Sequence, residues 1–195
     1  MLLGLRFNEE KDYSDISKKR YSLFGLAVQF LITAFIPALC GYIGFTQTGW
    51  ISPSGNIHIV VPENANTLAV LTYLTYIFTI FILGNAIYWM RDTYNAKNIT
   101  QSTAFIFAYY CSIPFLFASI TFLYPHALIN SIALVIAIAY SVKLLFKGLY
   151  KISGIEPERG FLYASSVLTV VLVGFVCILV LSTILWINGF LPNLQ

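Results

Sequence analysis

The chain of 195 residues is 58% hydrophobic and only 10% charged, with a mean hydropathy of +0.80, whereas a soluble domain carries about 25% charged residues. This composition excludes an ordinary water-soluble domain, and the length leaves room for one membrane domain and no separate soluble unit. The net charge of +3 does not make a nucleic-acid binder, because the basic residues are scattered between apolar segments instead of lining one face.

In chain order, a charged head over residues 1–20 ends in Lys18, Lys19 and Arg20 and leads into a first apolar run, about Tyr21 to Phe45. A membrane span needs roughly 20 apolar residues. The run is too long for a signal-peptide core and lacks a small-residue cleavage site. Leu39 before Cys40 is not the small residue that lipoprotein processing takes, so the run is expected to stay uncleaved. In the loop that follows, Ser52-Pro53-Ser54-Gly55-Asn56 precedes the β-prone stretch Ile57 to Val61, which predicts a small hairpin on the membrane surface. Four more apolar runs lie at about 67–90, 102–123, 127–148 and 160–187. None shows the alternating polarity of a barrel strand, and lipid admits only helices or closed barrels. The expectation is an all-α polytopic membrane bundle with five transmembrane helices over residues 21–195.

Basic residues favour the cytoplasmic side. Arg6, Lys11, Lys18, Lys19 and Arg20 precede the first span, Arg91 and Lys97 separate the second from the third, and Lys143, Lys147, Lys151 and Arg159 surround the last connection. All 11 basic residues then fall on one side, which predicts a cytoplasmic N-terminus and an outside C-terminus. Trp50, Trp89 and Trp186 all fall at predicted span ends, where an amphipathic ring suits the interface.

Helices in lipid associate through small residues, and four spans carry such stripes: Ala69, Thr72, Thr79 and Ala86; Ala104, Ala108 and Ser112; Ala133, Ala137 and Ser141; Gly160 and Ala164. Pro37 and Pro114 interrupt the first and third spans and read as fixed packing geometry. Cys40, Cys111 and Cys177 each sit within a span, form no C-x-x-C pair and read as core residues.

No nucleotide-cradling, zinc-hydrolase or serine-hydrolase motif occurs, so neither an enzyme nor a cofactor is expected. His58, Glu63 and His126 belong to the outer side and read as interfacial polar groups and not as a metal site. Asn98-Ile99-Thr100 matches a glycosylation acceptor but faces the cytoplasm. Ionisable residues are missing from the span centres, where transporters keep them for function. Uncharged Gln29, Asn85 and Asn130 are the candidates for interhelical hydrogen bonds or a polar path. Lys143, Lys147 and Lys151 recur at i, i+4 and i+8, placing three ammonium groups on one helix face near the cytoplasmic surface. That face suits anionic head groups or an acidic partner, and Lys143, about one turn inside the span, can snorkel outward.

The block Ile36-Pro37-Ala38-Leu39-Cys40-Gly41-Tyr42-Ile43-Gly44-Phe45-Thr46-Gln47-Thr48-Gly49-Trp50 resembles the end of the first span in the YohC-like bacterial inner-membrane branch of the Yip family. The similarity continues through Tyr110 to Pro114, Tyr124-Pro125, Tyr140 to Tyr150 with Gly148, and Ser165-Ser166. The resemblance implies a five-helix bundle with a cytoplasmic N-terminus and supplies no catalytic site. Eukaryotic members of the family act in vesicle trafficking and carry an Asp-Leu-Tyr-Gly-Pro motif that this sequence lacks, so binding of Rab-type GTPases is not carried over. The expectation is a non-enzymatic membrane organiser or accessory protein. Its partners would be membrane lipids, other membrane proteins or further copies of itself. The alternative is a small-solute or ion transporter or channel lined by Gln29, Asn85 and Asn130.

Overall fold

The computed structural model describes residues 23–51 and 57–187. The charged head 1–20, the turn Ser52 to Asn56, the tail Asn188 to Gln195 and the side chains of Trp50, His58 and Trp186 lie outside the described residues.

Among the described residues five helices are long and apolar enough to cross a membrane, and the protein is a helical integral membrane protein. Helix α1 spans Leu23–Ile43 and runs on through a π-helical turn, Gly44–Thr48. Then come α2 (Pro62–Met90), α3 (Gln101–Ser119, extended by a 3-10 turn over Ile120–Leu123), α4 (Ala127–Ser153) and α5 (Pro157–Ile187).

Several helices outrun their apolar sequence because polar start and stop signals set their ends. Helix α2 begins at Pro62 and not at Thr67: proline at the first turn forfeits no helical bond, and Glu63 beside it faces the positive end of the helix dipole. Thr100 caps α3 by accepting the Thr103 N–H at 3.2 Å. Helix α4 passes Gly148 and stops at Ser153, where Gly154 takes the left-handed conformation with φ of 68°. The expected hairpin forms but is short: β1 (Trp50–Ile51) pairs antiparallel with β2 (Ile57–His58). Ile59 to Val61 lie outside the strand, and the Val60 N–H instead bonds the Phe45 carbonyl at 3.2 Å, tying the hairpin to the end of α1.

Successive helices alternate in direction, so the bundle has two ends. At the hairpin end, the Thr48 hydroxyl donates to the Leu123 carbonyl at 3.0 Å. At the connector end, where residues 91–100 and 154–156 join helices, Asn98 Nδ2 donates to the Ser153 carbonyl at 3.3 Å. The large buried side chains gather at the connector end, with Ile87, Phe107, Leu149 and Tyr163 nearly inaccessible, and Ala96 and Ile99 of the 91–100 connection close the core from above. Towards the hairpin end the buried groups are mostly small, including Ala34, Ala38, Ala65, Ser119 and Ala137.

The small-residue stripes explain part of this packing. Ala104, Ala108, Ser112 and Ala164 are buried, as are Ala86, Ala137 and Gly160. Ala69, Thr72, Thr79, Ala133 and Ser141 are half-buried. Of the cysteines expected in the core, only Cys111 is buried. Cys40 is intermediate and Cys177 is exposed, because α5 near Cys177 has neighbours on few sides. Trp89 is exposed at the connector end of α2, the position expected of an interfacial ring.

Candidate functional site: a basic edge on the fourth span

The sequence places apolar Leu144, Leu145, Leu149 and Ile152 on one side of the last turns of α4, and all four are buried against the core. Lys143, Lys147 and Lys151 occupy the opposite side and are exposed. A spacing of four on a helix of 3.6 residues per turn keeps them on one face. The helix is fixed in rotation by its junction with α5. A Cβ on Gly160 would collide with Tyr150, so only glycine lets the two helices approach there, and Phe146 packs on Phe161 with ring centroids 5.0 Å apart. Lys143 Nζ lies 5.0 Å from the centroid of the Tyr140 ring, a cation–π contact. Because α4 runs on to Ser153, Lys143 stands ten residues before the helix end. The helix therefore continues past the predicted span end at Gly148.

The three uncharged polar candidates are not brought together. Gln29 lies near the connector end of α1 and is half-buried. Asn85, five residues before the connector end of α2, turns its Nδ2 back to the Phe81 carbonyl of its own helix at 2.8 Å. Asn130 sits three residues inside the opposite, hairpin end of α4. With a rise of about 1.5 Å per residue, Asn130 is most of a membrane thickness from the other two. Its Oδ1, together with Ser141 Oγ on the same helix and His126 Nδ1 just before it, is buried without a hydrogen-bond partner among the described residues.

Among the described residues no three histidine, cysteine or acidic side chains gather in a way that would hold a metal. Glu63 opens α2 and His126 directly precedes α4.

Sequence reasoning missed the polar fastenings between spans, which are built from tyrosine. Tyr163 is fully buried and donates to the Ile87 carbonyl, and it stacks on Tyr94 with centroids 5.1 Å apart. The Tyr94 and Ser166 hydroxyls share a hydrogen bond of 2.5 Å, and those of Tyr76 and Ser112 one of 2.8 Å. Arg91 lies 4.1 Å over the Tyr88 ring and donates to the Ile99 carbonyl at 3.2 Å, pinning the 91–100 connection. The signal was present in Ser165-Ser166 and in the abundance of tyrosine, 13 in the chain, but periodicity does not say which hydroxyls meet.

A family model described as the Yip1 domain matches residues 4–178. The inner membrane protein YohC of Escherichia coli strain K12 is 29% identical over 160 residues, which cover 82% of each chain. The protein of the same name from Escherichia coli O6:H1 strain CFT073 matches equally. No solved structure matches the chain.

Proposed function

The chain belongs to the Yip1 domain family, and on that premise we propose that it is a non-enzymatic organising or accessory protein of the bacterial inner membrane. It would act by binding lipids or other membrane proteins through its helix faces. The observation that carries this reading is the basic edge of α4, where Lys143, Lys147 and Lys151 face away from the core at the end of the bundle that also holds Arg91, Lys97 and Arg159. A cluster of ammonium groups beside a membrane surface attracts anionic head groups or acidic protein segments. The name of the Escherichia coli relative supports the inner membrane as its location. The distribution of basic residues supports a cytoplasmic connector end. Labelling single cysteines introduced at Ser54 and Lys97 tests that orientation, since modification of both from one side of the membrane sinks it. A transport path through Gln29, Asn85 and Asn130 gains no support from their positions at opposite ends of the bundle.

The test of the proposal is purification of the tagged full chain from its own membrane in mild detergent, with mass spectrometry of retained proteins and lipids. A stoichiometric membrane protein or an enriched anionic lipid is expected, reduced when Lys143, Lys147 and Lys151 are changed to Gln. A lipid-indifferent, partnerless protein that conducts a solute across vesicles would overturn it.

A further inference from the structure

We propose that the exposed face of α4 is a seat for a single anionic phospholipid, its phosphate held by Lys143, Lys147 and Lys151 and its acyl chains lying along Ala139, Ile136 and Val135. This rests on the reading of the basic edge given above and names its ligand.

Depth is the first argument. Helix α4 has 27 residues, about 40 Å at 1.5 Å per residue, against a hydrocarbon core of about 30 Å. With its start at Ala127 near one boundary, the other boundary falls close to Lys147. Lys151 then lies among the head groups and Lys143 about one turn inside the hydrocarbon. Side chains on a helix lean towards its N-terminus, here towards the bilayer centre, so Lys151 reaches down to the phosphate level, while Lys147, at the boundary, snorkels up to it. A cation at the depth of Lys143 is costly in hydrocarbon, and a negative charge nearby lowers that cost. The face of the Tyr140 ring is one partner, and a phosphate drawn to the same level is a second.

The order of groups along the face is the second argument, and it favours a lipid over an acidic protein. Below the lysines the same side of α4 continues as Ala139, Ile136 and Val135, every one exposed. From Lys147, at the boundary, to Ile136 the helix rises roughly 16 Å, about the depth of one leaflet's hydrocarbon. Charge above and an apolar strip below is the complement of a phospholipid. The head group must carry its phosphate without a neighbouring ammonium, because an ammonium would oppose the lysines.

Native mass spectrometry of the purified full chain, titrated with phosphatidylglycerol or phosphatidylethanolamine, tests the seat. Phosphatidylglycerol should be retained at least about tenfold more tightly, with each lysine removed weakening it about fivefold. Lys147→Gln should therefore lose part of the preference and the triple Gln variant all of it. A triple Arg variant should keep it, which separates charge from folding. Val135→Ser with Ile136→Ser should weaken both lipids alike, and free glycerol phosphate should not compete. Equal retention of the two lipids by the native chain overturns the proposal, as does a preference that survives the triple Gln change or competition by free glycerol phosphate. If that result appears while a protein partner in native membranes still depends on the lysines, the seat fails and the organising role stands.

Discussion

The two ends of the bundle are built differently. At the connector end, all five helices and the 91–100 connection converge on large buried side chains, and Tyr163, Tyr94 and Ser166 add hydrogen bonds between spans. At the hairpin end, α1 is clasped to the turn after α3 through Gly44 and Thr48. From Phe175 to Leu181 helix α5 is exposed on almost every side, with Phe175, Val176, Leu179, Val180 and Leu181 all exposed. The first half of α4 buries little besides Ala137. In lipid, burying apolar surface against protein gains little over burying it against acyl chains, so close packing and hydrogen bonds hold helices together. The connector end has both and fixes the fold. The outer lengths of α4 and α5 are left facing the bilayer.

The sharpest way to break this comparison is to empty the connector core. Tyr163→Ala removes a fully buried ring, its stack on Tyr94 and its bond to Ile87. It should cost about 3 kcal/mol or more, seen as loss of the monodisperse protein at lower temperature during heating in detergent. A variant as stable as the parent would mean that the fold is not anchored there. Next in size is Gly44→Ala at the hairpin end. The added methyl would fall on the carbonyl oxygen of Phe122, which is backbone and cannot swing aside, so overpacking should cost about 1–3 kcal/mol. Gly84→Ala is the internal control for that experiment. Its methyl meets the Phe105 ring at 2.7 Å, a half-buried side chain that can turn, and its loss in the same heating assay should be smaller. If Gly84→Ala proves the worse of the two, the clasp at Gly44 is weaker than its geometry implies.

The five spans were legible in the sequence because a hydrocarbon-length apolar run has few other uses. The third helix was legible in more detail, since Ala104, Ala108 and Ser112 recur at helical spacing and all three are buried. The contrast between the ends was hidden, because high hydropathy marks apolar surface without saying whether lipid or protein covers it. Asn85 shows a second limit: an amide in a span reads as a bridge between helices, yet it can satisfy itself on the carbonyl four residues back. The lysine stripe was visible, but the place where its helix ends was not. Gly154, which ends α4, lies past the apolar run that the hydropathy pattern marks.

The smallest expected effect sharpens the comparison from the loose end. Val176→Ala and Leu181→Ala remove exposed methyl groups from α5, and in detergent each should change stability by no more than about 0.5 kcal/mol, well below the cost of Tyr163→Ala. Lipid or detergent covers those positions equally well with either side chain, because no close-packed neighbour is there to lose. A cost of about 2 kcal/mol for either variant would require such a neighbour. It would have to come from outside the chain, since the described residues leave this face uncovered. Size-exclusion profiles of the same two variants then decide the matter: a second copy covering α5 would dissociate along with the lost stability, and a monomer unchanged in size would keep α5 as a lipid-facing helix.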